Sequence, residues 1–363
     1  MKKQLDFKAP FSCMCLGVDF INCFAAVYVH IEGIGDKVAR KCGNVKHGLC
    51  GACKYQQFFD AMAGASFTRR HYGGTPTEMQ KLIGNHGDLG CGTDDTAGFL
   101  FGFAGYEYRK QMDPGAFKAA IAASIDAGKP VIAKIKPGET RFRVITGYSG
   151  NKLLEPDYKR AQKQPKKPVK IDELEALYIF GEKIQPRYAV LDGLKRTQQM
   201  MECNASEKVW DKYIEEIQDK IMLPPNADWN KESRPEEQEK VLTELKDAAW
   251  CAWGVWNFLC AFEDWMPGNI AEKNPTLDGL ADESREQFSL IIQNIWDKCC
   301  ESMDLGHFIN YLSREKRIQW HNAPCPWHWL GKLLVMMVER YKELDAEVLE
   351  LIKQAITILS HSL

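Results

Sequence analysis

The chain has no long apolar run. The nearest, "AAWCAWGVWNFLCAF" (Ala248–Phe262), is too short to span a bilayer and reads as a buried helix. It also lacks an excess of charge of either sign. The 47 basic and 49 acidic residues leave a net charge of −2, so composition gives no argument for nucleic acid or an acidic membrane surface as partner. The opening stretch "MKKQLDFKAPFSCMCLGVDF" starts basic, but Asp6, Lys8 and Pro10 interrupt any apolar segment behind it, and we read no signal peptide. No internal repeat is visible. A disulfide framework is not indicated either. The 13 cysteines are odd in number and scattered through apolar segments such as "NFLCAF" and "DKCCESM", which points to buried thiols in a reducing cytoplasm.

What is present is an ordinary globular composition, 45% hydrophobic and 26% charged, on 363 residues. That length suggests two domains, each able to bury its own core. The first half alternates helix-like and strand-like signals. "DFINCFAAVYVHIEGIG" predicts a helix capped by Asp19 or Asn22 and stopped at Gly33, with Phe24, Val27, Tyr28 and Ile31 as its buried stripe. "GTPTEMQKLIG" predicts a short helix. "CGTDDTAGFLFGFAGYEY" is rich in glycine, but no Gly-Lys-[Ser/Thr] follows, so it is no phosphate loop; Asp94 and Asp95 read as caps for the next helix. "DPGAFKAAIAASIDAGKPVIAKI" predicts a helix, a turn and a strand.

"RFRVITGYSGNKLLEPDY" follows. Phe142, Val144 and Thr146 alternate with Arg141, Arg143 and Ile145, and "YSGNK" supplies the turn of a hairpin. After a basic, Pro-rich loop comes the apolar strand "EALYIFG". From Asp192 onward the pattern is helical, broken by a linker, "LPPNADWNKESRPEEQE", and ends in long helices rich in Trp, Leu and Met. The expected fold class is α+β for residues 1–190, with an antiparallel sheet, followed by an all-α helical domain over 191–363. The strands "PVIAKI", "RFRVITGY" and "KLLEPDY" are expected in one sheet, packed against the helix that carries Cys23.

Cys23 follows Asn22 near the start of that helix. Unpaired N–H groups and the helix dipole stabilise an anion there, which makes Cys23 a candidate nucleophile. In order, "INCFAAVYVHIEG", "GKPVIAKI", "RFRVITGYSG" and "LLEPDY" resemble a papain-like thiol-enzyme domain over residues 12–160. The likeness is to the double-glycine-leader peptidase-like family and to the bacterial butirosin-biosynthesis acyltransferase type, whose N-terminal domain also precedes a helical one. The resemblance implies Cys23 as nucleophile and Asp157 as orienting carboxylate, and it puts Arg141 where the family carries histidine. No Gln stands in "CMCLGVDFIN", where family peptidases keep an oxyanion-holding one. A guanidinium stays protonated, so Arg141 cannot shuttle the proton that a leaving amine needs. Thioester exchange needs it less, because a thiolate leaves unprotonated. Substitute bases from the sequence are His30, on the same helix, and His321 and His328 in the helical half.

A second constellation is "KCGNVKHGLCGACK". Cys42, His47, Cys50 and Cys53 sit in a Gly-rich basic stretch, expected as a loop, and Cys50 and Cys53 have the Cys-x-x-Cys spacing of a zinc site, with Cys91 as an alternative to His47. Trp250, Trp253 and Trp256 read as helix-packing core or as an apolar wall for an acyl chain. Three readings follow: acyl transfer or thiol hydrolysis through Cys23; an inactive papain-like module that binds a small molecule, an acyl thioester or a peptide; and a structural or interaction protein built around a zinc loop. The first two need no cofactor; the third takes zinc.

Overall fold

A computed structural model describes residues 2–7, 19–34, 51–64, 94–136, 142–156, 169–206, 209–228, 235–250, 280–314 and 326–362. They divide into two compact units: described residues up to Ala63 and from Asp94 to Gly193 belong to the first, and Gly64 with those from Leu194 onward to the second. The first unit contains, in chain order, β1 (Lys2–Gln4), α1 (Asp19–Ile31), α2 (Gly51–Met62), α3 (Asp94–Ala104), β2 (Tyr106–Gln111), α4 (Pro114–Asp126), β3 (Val131–Ile135), β4 (Phe142–Ile145), β5 (Gly147–Ser149), β6 (Lys152–Leu154) and β7 (Leu174–Lys183). Helix α5 (Val190–Ser206) spans the changeover. The second unit adds α6 (Val209–Glu216), which runs into a π-helical turn (Ile217–Ile221), then α7 (Pro235–Trp250), α8 (Asp282–Arg314) and α9 (Pro326–Ser362).

The first unit is α+β. Its main sheet is antiparallel in the order β2-β7-β3-β4. Strand β7 alternates, so it serves both faces. Leu177 and Ile179 join Phe117, Ile121 and Ile125 of α4 in one core, while Tyr178 and Phe180 meet Phe20 and Phe24 of α1 at 5.3 and 5.2 Å. A sheet covered on both faces by helices results. Helix α4 and strand β3 form as their sequence predicts. Asp113 accepts a hydrogen bond from the Gly115 amide at 2.9 Å, Pro114 takes the first helical position, and Gly128 turns the chain with φ +77°.

Two expectations are corrected. Strand β6 does not join the main sheet: it pairs with β5, and β5 pairs with β1 in a separate three-stranded sheet. The chain changes sheets at Thr146, whose amide donates to Leu154 and whose carbonyl accepts from Leu5, at 2.8 and 2.9 Å. The tight turn itself is as read, with Ser149 opposite Lys152 and Gly150 at φ +62°. Helix α1 is also buried on every side over Cys23–Val29, not along one stripe. Phe24 explains why, since it lies against Phe180 of the sheet and also against Phe59 of α2 and Phe101 of α3, each at 5.0 Å.

In the second unit every described element is a helix. Helices α8 and α9 run antiparallel, as Tyr341 Oη donates to the Ser302 carbonyl at 2.6 Å, Arg340 pairs with Glu301 at 2.6 Å, and Lys298 pairs with Glu347. Buried positions Phe288, Ile292, Ile295, Cys299, Ser302 and Ile309 on α8 follow spacings of three and four residues. Trp210 of α6 closes this core, stacked on Tyr341 at 5.0 Å with its Nε1–H donated to Asp345 at 2.7 Å. Among the described residues no helix is long and apolar enough to cross a membrane.

Candidate functional site

Cys23 lies one turn inside α1. The helix opens at Asp19, so Cys23 is its fifth residue. The sequence reading put Cys23 at the helix start, beside unpaired N–H groups. The structure places it just past the first turn, where the dipole effect has weakened. Its side chain is 5% exposed and makes no disulfide.

Arg141 and Asp157 lie outside the described residues, but the segments next to them are placed. Phe142 opens β4 and packs edge-on against Phe20 at 5.6 Å, three residues before Cys23. Arg143 donates to both carboxylate oxygens of Glu155, at 3.1 and 3.3 Å, and both side chains are 11% exposed. This pair ties β4 to the residue just after β6, two positions from Arg141 on one arm and two from Asp157 on the other. The alternation of "RFRVI" put Arg143 on the face opposite Phe142, but gave no sign that Glu155 would meet it. The Arg143 Nε has no partner and is shielded from solvent.

His30 lies two turns beyond Cys23, about 10 Å along the axis. It stacks on Phe7 at 5.0 Å, and burial lowers its pKa against the opposing effects of the Gly128 backbone and Asp6. Its ring is held toward the other end of the helix from Cys23. His328 belongs to the second unit, where its Nδ1 is 2.9 Å from the Leu223 carbonyl. His321 lies outside the described residues.

No family model matches the chain, and no curated protein does.

Of the zinc candidates, Cys42, His47, Cys50 and the alternative Cys91 lie outside the described residues. Cys53 falls in the first turn of α2, where the sequence reading had placed a loop. Among the described residues no cluster of three or more His, Cys, Asp or Glu is arranged to hold a metal. Trp250 ends α7, and Trp253 and Trp256 lie outside the described residues.

One polar cluster escaped the sequence reading. Glu32, in the turn after α1, accepts from Tyr106 Oη at 2.7 Å and from Lys183 Nζ at 3.0 Å. Burial, then the hydrogen bond to Glu32, pushes the Tyr106 phenol well above its ordinary range. Tyr55 is pushed up to about 12, by burial first and by the Glu32 charge second. The cluster pins the end of α1 to the edge of the main sheet. Its members come from residues 32, 106 and 183, and no local pattern links them.

Proposed function

We propose that the first unit is a papain-like thiol domain that takes acyl groups through Cys23, in acyl transfer or a related thiol hydrolysis, with Arg141 in the place of the usual base. The observation that carries this reading is the contact of Phe20 with Phe142. It brings the turn of α1 before Cys23 against the end of β4 that Arg141 precedes, as a thiol on a helix facing a strand-borne partner requires. The Arg143–Glu155 pair supports it by holding the two arms that lead to Arg141 and Asp157 together.

The chemistry is thioester exchange. The Cys23 thiolate attacks the carbonyl carbon of an acyl thioester, a new C–S bond forms, the old C–S bond breaks, and the departing thiolate carries the electron pair. No proton is delivered to the leaving group, so a guanidinium beside the site suffices: it favours the thiolate and binds an anionic part of the substrate. Peptide hydrolysis would need a proton donor for the amine, which Arg141 is not.

The second reading, an inactive papain-like module that binds a small molecule or peptide, is favoured by the burial of Cys23. Labelling the folded protein with an iodoacetamide probe across pH, with Cys23→Ser as control, separates the two. The acyl-transfer reading expects labelling that Cys23→Ser abolishes, at a pH that rises in Arg141→Ala. Labelling of Cys23 only after denaturation leaves the binding module.

A further inference from the structure

An open cleft of about 390 Å³ indents the first unit where α3, β2 and the segment after β7 meet. That size falls within the roughly 300–1,000 Å³ of small-ligand sites. Gly98 and Gly102, one helical turn apart, let aromatic rings approach this side of α3 closely. The Tyr108 ring lies over Gly98, 3.7 Å from where a Cβ would stand, and the Tyr188 ring over Gly102, 2.9 Å from that point. Tyr188 also stacks on Phe99, and Tyr108 on Phe101, each at 4.8 Å. Both rings are thus fixed by packing, yet Tyr188 keeps 38% of its surface open.

Glu107 and Arg187 also line the cleft. Glu107 stands at a β-bulge: Tyr106 pairs with Lys183 and Tyr108 with Phe180, so Gly181 and Glu182 together face this one residue. A bulge bends its strand and re-aims nearby side chains, and bulges gather beside binding sites. Gly181 lets the strands approach, because a Cβ there would stand 2.9 Å from that of Glu107. Arg187 is anchored through its amide, which donates to the Gly102 carbonyl at 2.9 Å. Neither the Glu107 carboxylate nor the Arg187 guanidinium has an ion-pair partner among the described residues.

We propose that this cleft binds a small aromatic zwitterion of the free aromatic amino-acid class. Its carboxylate pairs with Arg187, its ammonium with Glu107, and its ring lies against Tyr188 and Tyr108. Two charges of opposite sign in one small cleft disfavour a ligand with a single charge, since an anion would also face Glu107 and a cation Arg187. A guanidinium matches a carboxylate in two-point geometry, and fixed tyrosine rings receive an aromatic ring by offset stacking. None of this rests on the Cys23 reading.

Calorimetric titration of the full chain with L-phenylalanine, its carboxamide and its N-acetyl derivative tests the proposal. Phenylalanine is expected to bind saturably. Each blocked form, which loses one charged contact, is expected to bind about tenfold or more weakly. Arg187→Ala should then no longer distinguish acid from amide, and Glu107→Gln should no longer distinguish free amine from N-acetyl. Gly102→Ala, whose methyl group displaces Tyr188, should weaken all three. A peptide-terminus site would instead keep one blocked form at full strength. That result, no binding of any form up to about 10 mM, or selectivity unchanged in both charge variants, overturns the proposal.

Discussion

Arg143 and Glu155 face each other with little solvent between them, and their pairing offsets the cost of burying both charges. Replacing Glu155 with Gln leaves a guanidinium in a nearly dry site, with its Nε already without a partner. The expected loss is about 3 kcal/mol, read as a lower denaturation midpoint in urea, while the double change to leucines should recover most of it. A second residue-scale prediction concerns alkaline pH. Tyr55 and Tyr106 have folded pKa values raised above the ordinary phenol value. Between the unfolded and folded values the native state holds protons that the unfolded chain has lost. Stability is therefore unaffected below about pH 10 and falls as pH rises above it. Chemical denaturation from pH 8 to about 12 should show that fall, smaller in Tyr55→Phe and Tyr106→Phe; a flat profile contradicts it.

At the scale of elements, α4 was legible because its signals are local: an aspartate cap, a proline at the first position and a glycine stop within one stretch. Asp113→Ala should cost about 1 kcal/mol, and Asp113→Asn much less, since the amide oxygen still accepts from Gly115. Helix α1 shows the opposite case. Its stripe of Phe24, Val27 and Tyr28 was legible, but its second buried face comes from α2 and α3. Phe24→Ala should therefore behave as a core deletion and cost about 3–5 kcal/mol, far more than the loss expected for one side of a surface helix. Strand β2 went unread because Tyr106 and Tyr108 alternate with Glu107 and Arg109 behind a glycine-rich helix, a weak pattern until β7 pairs with it. Strand β1 is three exposed residues that only β5 makes into a strand.

At the scale of the whole molecule, two clusters of described core residues each lie within one unit. The core that Trp210, Tyr213 and Tyr341 share draws its members from Val209 to Tyr341, and the core of α4 and the main sheet from Phe117 to Ile179. A fragment of residues 190–363, which keeps every described helix from α5 onward, is expected to be helical by circular dichroism and to unfold in one cooperative transition. A broad, non-cooperative melt would mean that its stability is borrowed from the rest of the chain.

The sequence by itself determined those features whose cause lies within a few residues: the α4–turn–β3 unit, the two faces of β4 and the apolar strand β7. It also held the three-and-four spacing of α8, which needs only one helix to be visible. Tertiary structure decided whatever depends on a partner distant in the chain. The move of β6 into a second sheet follows from bonds that Leu5 and Leu154 make to Thr146. The partner of Arg143, the all-round burial of Cys23 and its helix, and the cleft that brings Glu107 and Arg187 together arise from segments tens of residues apart. Side-chain periodicity tells a residue which way to face, and only the assembled layers decide what it meets there.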